Sequence, residues 1–326
     1  MQRRHLVQAI AASAWVGTGT ARAQPAWPAR PIRLVVPFPP GGPTDSFARL
    51  YAGALARQLG QTVVVENKAG ASGALGSLEV KRSAADGYSL LFGTASTHAL
   101  YTLTQPKPQF DATEDFAHVA VLGGAPIVFA VAPTMPRSLK SVFIAAKHNP
   151  GKYNYGSPGN GTLMHVAAER LKQLSGAPIT HVPYKGSAPA LQDLMGGSIE
   201  MTVDTLGSLL QHHQSGRVRV LGVASAKRLA LAPDIATVAE SADLDKPFEA
   251  MLWNIVSAPR ETPAAVMKLL GEATQRAMTD TELRSQLASQ AMFADLRVGA
   301  AAASYITAER AKWKPIIATL GNLSTG

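Results

Sequence analysis

The chain reads Leu34-Val35-Val36-Pro37-Phe38-Pro39-Pro40-Gly41-Gly42-Pro43-Thr44-Asp45 close to its start. An apolar run typical of a buried strand leads here into a Pro/Gly turn, and a helical pattern begins at Thr44. A helix start presents unpaired N–H groups and the positive end of the helix dipole. Because glycines leave those donors uncovered, this turn is suited to hold a carboxylate without a cationic side chain.

The same design recurs at Tyr153-Asn154-Tyr155-Gly156-Ser157-Pro158-Gly159-Asn160-Gly161-Thr162, where a strand enters a glycine-rich turn and a helix follows. Either turn alone is also what an ordinary strand-to-helix connection looks like. Two such turns, far apart in the sequence, predict two domains that close on one ligand.

Composition excludes several classes of function. A chain of 326 residues is long enough for two domains with cores. The formal net charge is +9, but no Lys/Arg run or aromatic platform is present, so nucleic-acid binding is not expected. The sequence contains no cysteine, which excludes disulfides, thiol catalysis and cysteine-ligated metals.

Residues 1–23 have the pattern of an export signal. Arg3-Arg4 precede an apolar core that is too short to span a membrane, and Ala21-Arg22-Ala23 matches the small-x-small cleavage rule. The mature chain is therefore expected to begin at Gln24, in the periplasm. The first residues also resemble a twin-arginine signal, so both export routes remain open.

Strands and helices alternate from residue 31 onward, which predicts an α/β fold with parallel strands and crossover helices. Strands are expected at 32–36, 62–65 and 88–92, with helices at 44–59 and about 72–83 between them. A long apolar stretch at 119–131 is expected to cross into a second α/β unit, and 247–258 to return. Ligands of such sheets bind beyond the carboxyl ends of the strands, where the glycine-rich turns fall.

Rival chemistries have weaker support in the sequence. The loop at 66–76 has G-x-x-G-x-x-G spacing rather than G-x-G-x-x-G, and no acid ends the next strand, so no dinucleotide cofactor is expected. Ser157 lacks the G-x-S-x-G context of a hydrolase, although His165 and Asp204 can be imagined as its partners. His212 and His213 point about 100° apart on a helix, so no metal site is expected.

Three further polar residues each have two interpretations. Ser96 lies in a small, hydroxyl-rich loop that suits either ligand binding or a capped turn. Asp204 is either a ligand contact or a helix N-cap. Lys185 either attracts an anion or is a solvated turn residue.

Taken together, an ordered set of motifs resembles the extracytoplasmic solute receptors of tripartite tricarboxylate transporters, the Bug receptors. The motifs include 27–33, 36–38 with 41–45, Glu66-Asn67 with 70–73, 86–91, 155–162 with His165, 181–186, 215–219 with Leu221, Pro233-Asp234 with 237–240, and Trp253. The resemblance implies a two-domain periplasmic-binding-protein fold of type II, with a mostly parallel, helix-flanked sheet in each domain and a cleft between them. The implied domains are 24–125 with 248–326, and 126–247.

Residues carried over from the resemblance form two jaws around a carboxylate. The first jaw comprises Pro39, Gly41, Gly42, Thr44 and Asp45, with Asn67 and Ala71 beside it; the second comprises Ser157, Gly159, Gly161 and Thr162, with Asp204 on the floor. Pro39-Pro40 depart from the Ala or Gly frequent in relatives, which could change ligand choice.

The predicted function is therefore that of a monomeric, non-enzymatic periplasmic receptor without a cofactor. Its ligand is expected to be a dicarboxylate, an aromatic acid or an acidic amino acid, delivered to the membrane permease subunits of a tripartite tricarboxylate transporter. A sensor that feeds a two-component system and an exported serine hydrolase remain as alternatives.

Overall fold

The computed structural model describes residues 27–323. The predicted signal peptide, residues 1–23, lies outside the described residues. Within the described part, no helix combines the length and the apolar character that a membrane span requires.

Two lobes are built around sheets, and the division of the residues between them is the one that we propose. The first lobe, residues 27–125 and 248–323, contains β1 (Ile32–Val36), α1 (Pro43–Leu59), β2 (Val63–Asn67), α2 (Ala74–Lys81), β3 (Ser89–Thr94), α3 (Tyr101–Thr104), α4 (Ala112–Asp115), β9 (Met251–Pro259), α10 (Ala264–Thr279), α11 (Thr281–Ser289), β10 (Phe293–Val298) and α12 (Ala300–Leu320). The strand β4 (Phe116–Val131) links it to the second lobe, residues 126–247. The second lobe contains α5 (Leu139–His148), β5 (Asn154–Ser157), α6 (Leu163–Ser175), β6 (Thr180–Pro183), α7 (Ser187–Gly196), β7 (Met201–Thr205), α8 (Leu206–Gln214), β8 (Arg219–Val223) and α9 (Val238–Ala242).

One strand carries the connection between the lobes. The first part of β4 pairs with β9 from Phe116 to Pro126, and its last part pairs with β7 from Ile127 to Val131. This change of partner at Ile127 supports the domain boundary that we propose between residues 125 and 126. The chain returns to the first lobe through β9, which begins at Met251.

The predicted α/β fold is confirmed, but the sheets are mixed rather than mostly parallel. In the first lobe β1 pairs in parallel with β2 and β3, as the alternation of strands and helices predicted. The strands β4 and β9 pair antiparallel with each other and with their other neighbours. A strand that leaves one sheet to enter another needs no crossover helix, so it is free to pair antiparallel.

The helix α1 positions the first predicted turn. Its apolar face, with Phe47, Tyr51 and Leu55 fully buried, packs on the sheet and on α10. Pro43 occupies the first helical position, where its missing N–H costs nothing, and Gly60 ends the helix in a left-handed conformation. Burial of one face therefore fixes where the N-terminus of α1 points.

The lobes touch each other around the mouth of the cleft. The Leu163 N–H of the second lobe donates to Ser96 Oγ of the first at 3.1 Å, and the Ser72 hydroxyl donates to the Asn160 carbonyl. Gly186 lies against Pro39, where an added Cβ would be 3.0 Å from the proline Cγ. This arrangement is a closed one.

Candidate functional site

A small cavity of about 60 Å³ lies between the lobes. It is bounded by the turn before α1 and the starts of α6 and α7, the place where a sheet of this kind binds ligands. Its lining residues are Phe38, Pro39, Pro40, Gly42, Pro43, Thr44, Ser96, Pro158, Thr162, Met164, Lys185, Gly186, Ser187, Ala188, Pro189 and Leu252.

The N-terminus of α1 forms one wall. Gly42 is the N-cap, and no side chain caps this helix end. The first-turn N–H groups of Thr44 and Asp45 therefore have no intrahelical partner. Thr44 itself is 4% exposed, and its hydroxyl makes no hydrogen bond to any described residue. This end of the cavity thus offers unused donors to an acceptor.

Asp45 and Asn67, predicted in or beside the first jaw, do not line the cavity but brace the turn behind it. The Asp45 carboxylate accepts from the Gly41 N–H at 2.9 Å, from Arg49 Nε at 3.0 Å and from Asn67 Nδ2 at 2.8 Å. Although burial opposes ionisation, these donors hold the pKa of Asp45 below its usual value. The Gly41 N–H is thereby occupied and is not a free ligand donor.

The second wall is the N-terminus of α7, where sequence reasoning singled out only Lys185 and left it undecided. Gly186 is its N-cap, with φ of +107°, and no side chain caps the helix. The N–H groups of Ser187 and Ala188 therefore lack intrahelical partners. The signal for this site was present, since Lys185-Gly186-Ser187-Ala188 is a further glycine-containing turn between a strand and a helix.

The second predicted jaw uses most of its donors internally. The Gly159 N–H donates to Ser157 Oγ at 3.3 Å, and the Gly161 N–H donates to His165 Nδ1 at 3.0 Å. Thr162 caps α6, since its hydroxyl accepts from the His165 N–H and donates to the Gly159 carbonyl. Of these four predicted residues, only Thr162 lines the cavity.

Three aromatic side chains hold this turn from behind. The rings of His165 and His181 stack at 3.9 Å between centroids, and Tyr155 stacks on the far face of His181 at 4.8 Å. Burial lowers the pKa of His165 to about 4 and that of His181 to about 3. Both imidazoles are therefore neutral at pH 7, which leaves His165 Nδ1 free to accept from Gly161.

Ser157 meets a histidine, but not in the manner of a hydrolase. Its hydroxyl lies 2.7 Å from His181 Nε2, whereas the imagined partners His165 and Asp204 bond to other groups. Ser157 is 0% exposed and does not line the cavity. No described carboxylate hydrogen-bonds to His181, so the orienting group of a catalytic triad is missing from the described residues.

Asp204, predicted on the floor, is buried behind α7 at 2% exposure and does not line the cavity. It accepts from the Thr205 N–H at 2.7 Å. Burial raises its pKa to about 6, while hydrogen bonds from Ser187, Thr205 and Ser208 hold it from rising further. Ser187, unlike Asp204, lines the cavity.

The remaining predicted residues also divide into those that line the cavity and those that do not. Pro39, Gly42 and Ser96 line the cavity. The Ser96 loop is a short π-helix, Ser96–Leu100, rather than an irregular turn. Ala71 lies outside the lining, in a 3-10 turn whose next residue, Ser72, reaches across to the second lobe.

Lys185 dominates the electrostatics of the cavity. Among the described lining residues it is the only charged side chain, and it forms no ion pair with a described residue. One cation and two helix N-termini thus surround a largely apolar space, which favours an anionic guest. The described residues contain no group of three or more His, Cys, Asp or Glu that could hold a metal ion.

The comparisons with known proteins agree with this geometry. Residues 47–322 match the family model described as the tripartite tricarboxylate transporter family receptor. The chain belongs to this family. It is 34% identical to the protein BugT of Bordetella pertussis over 298 residues, which cover 90% of each chain.

Two solved structures are close in fold to this chain. Rpa4515 of R. palustris, solved with adipate, is 32% identical, with a TM-score of 0.86 over 90% of this chain and 98% of the other. MatC from Rhodopseudomonas palustris, solved with bound malate, is 29% identical, with a TM-score of 0.84 over 89% of this chain and 99% of the other. The resemblance inferred from the motifs and the type II binding-protein fold are both confirmed.

Proposed function

We propose that this chain is a periplasmic receptor that binds a small organic carboxylate in the cavity between its lobes. The observation that carries the proposal is the convergence of α1, α7 and Lys185 on one cavity with unused donors. The structural neighbours solved with adipate and malate, diacids of six and four carbons, support a small carboxylate ligand. We further propose that the bound acid is delivered to the permease subunits of a tripartite tricarboxylate transporter.

Closure of the lobes is part of the proposed mechanism. The walls at α1 and α7 belong to different lobes, so a ligand that touches both stabilises the closed arrangement over an open one. Contacts such as Leu163 to Ser96 form only when the lobes meet and add to that preference. A permease can then distinguish the loaded receptor by its shape.

Calorimetric titration of residues 24–326 with dicarboxylates, aromatic acids and acidic amino acids tests the proposed binding. We expect at least one carboxylate to bind in the micromolar range or tighter, and no binding across the set contradicts the proposal. Uptake of the bound acid by a strain without the receptor tests the transport role. Loss of uptake supports delivery to a permease, whereas unchanged uptake with loss of a transcriptional response favours a sensor.

A further inference from the structure

The Ser96 hydroxyl lines the cavity and joins the two lobes at the same time. Ser96 is 2% exposed and accepts the Leu163 N–H of the second lobe at 3.1 Å. Its own O–H donates to none of the residues that the structure describes, so that hydrogen is available to an acceptor on a ligand. Because hydrogen bonds in a chain polarise one another, a ligand that accepts from Ser96 strengthens the bond from Leu163. The direction of this O–H thus links ligand binding to closure of the lobes.

The short π-helix Ser96–Leu100 holds that hydroxyl in place just after β3. π-Helices are rare and often lie at functional sites. The Ser96 N–H donates to Thr94 Oγ1 at 3.2 Å, and the Thr94 N–H donates to Thr97 Oγ1 at 2.9 Å. Thr97 Oγ1 donates in turn to the Thr94 carbonyl at 3.1 Å, and both threonines are fully buried. These bonds fasten the start of the π-helix to the last residue of β3.

His98 connects this loop to the neighbouring strand. Its Nδ1 lies 2.9 Å from Thr97 Oγ1, and its Nε2 lies 3.0 Å from Ser257 Oγ of β9. Burial holds the pKa of His98 well below its usual value, so the ring is neutral at pH 7 and carries one nitrogen-bound hydrogen. Since Thr97 gives its only hydroxyl hydrogen to the Thr94 carbonyl, the hydrogen between Thr97 and His98 belongs to Nδ1. Nε2 is then an acceptor, and Ser257 donates to it.

The chain of hydrogen bonds continues to His118 of β4, whose Nδ1 lies 3.0 Å from Ser257 Oγ. Because the Ser257 hydrogen is used on His98, His118 donates from Nδ1, and its Nε2 has no partner among the described residues. Gly93 makes room for the inner ring, since a Cβ at this position would lie 2.1 Å from His98 Cε1 and 2.4 Å from His98 Nδ1. The hydrogen bonds and this close fit together fix the orientation of His98.

We propose that His98 is a positioning residue for ligand binding. It holds the Ser96 loop so that the Ser96 O–H donates to the ligand while its oxygen accepts from Leu163, although His98 itself does not line the cavity. This inference rests on the proposed function and adds to it a residue that acts on affinity through Ser96. Removal of the imidazole leaves Thr97 without a donor and Ser257 without an acceptor, which frees the loop to turn the Ser96 hydroxyl away from the ligand.

Calorimetry of Ser96→Ala, His98→Leu and the double variant, with malate and with adipate, tests whether His98 acts through Ser96. Ser96→Ala should weaken binding about 10- to 150-fold, because a hydrogen bond to a charged acceptor is lost. His98→Leu should weaken binding about tenfold. The double variant should bind no more weakly than Ser96→Ala alone, since both changes remove the same contact. Losses that multiply in the double variant, or wild-type affinity in His98→Leu, overturn the inference.

Two further variants separate positioning from a general loss of structure, and thermal melting establishes that each is folded. His98→Asn keeps an N–H donor near the place of Nδ1 and should recover most of the affinity lost in His98→Leu. His118→Leu is the matched control, because Ser257 then keeps its acceptor on His98, and its affinity should change by less than about twofold. No recovery in His98→Asn, or an equal loss in His118→Leu, counts against the inference.

Nitrogen-15 NMR of the histidine-labelled wild type tests the direction of the hydrogen bonds without any substitution, so it decides the matter even if a variant fails to fold. His98 should carry its hydrogen on Nδ1 at pH 7, and a hydrogen on Nε2 instead would overturn the inference. If the wild type binds none of the acids, the proposed function fails and this inference fails with it. If the wild type binds and His98→Leu binds equally well, the proposed function stands and this inference alone is wrong.

Discussion

Removal of the Thr44 hydroxyl should separate ligand binding from stability. Thr44 is 4% exposed and its Oγ1 has no described partner, so Thr44→Val removes no hydrogen bond of the protein. A hydrogen bond to a charged acceptor contributes about 1.5–3 kcal/mol. The dissociation constant for the preferred carboxylate should therefore rise about 10- to 150-fold, while the free energy of unfolding should change by less than ~0.5 kcal/mol.

The assay is calorimetry for binding together with urea denaturation for stability, on both proteins at pH 7. Thr162→Val is the control, because that hydroxyl caps α6 and its removal should cost about 1 kcal/mol of unfolding free energy. The reasoning is refuted if Thr44→Val binds the ligand as tightly as the wild type. It is also refuted if Thr44→Val destabilises the protein as much as Thr162→Val does.

Three other predictions concern residues that surround the cavity. Asp45→Ala should lower the free energy of unfolding by about 2–3 kcal/mol in urea denaturation, because Gly41 and Asn67 lose their acceptor; an unchanged value would contradict the bracing role. The pKa of Asp204 in the folded protein is raised to about 6, so the free-energy cost of ionising the buried carboxyl appears as the pH rises from about 4 to 6. The free energy of unfolding of the wild type, relative to that of Asp204→Asn, should therefore fall across that range and level off above it. A difference between the two proteins that does not change with pH would count against the raised pKa. Gly186→Ala should weaken ligand binding at least tenfold in calorimetry, because a Cβ at this position meets Pro39 when the lobes close. Gly197→Ala is the control, since Gly197 also has a positive φ but faces open space, and its affinity should not change. Equal affinities of the two variants would show that Gly186 is not a contact of the closed arrangement.

The order of strands and helices could be predicted because hydrophobic period and glycine-rich turns are local signals. The predicted helix at 44–59 and strand at 32–36 correspond to α1 and β1 almost residue for residue. The pairing direction of the strands that connect the two lobes could not be predicted in the same way. The antiparallel course of β4 and β9 depends on contacts between segments more than 100 residues apart, which no local pattern encodes.

The sequence indicates which turns border the cavity, but it does not show where individual polar groups of those turns point. The sequence located the turn before α1, but it could not show that Asp45 turns back to hold Gly41 and Asn67. It also predicted a role in binding for the glycine-rich turn before α6, and that role stays a prediction, since Thr162 of this turn lines the cavity. A histidine four residues downstream, His165, consumes the Gly161 donor, and that bond depends on a side-chain orientation that the sequence does not specify.

A crystal structure of the mature chain with succinate or glutarate tests the central claim most directly. The account predicts one carboxylate within hydrogen-bonding distance of Thr44 Oγ1 and the first-turn N–H groups of α1, with the lobes closed as they are here. A carboxylate bound instead at the outer groove beside Arg170 and Lys312, with the cavity between the lobes empty, would contradict it.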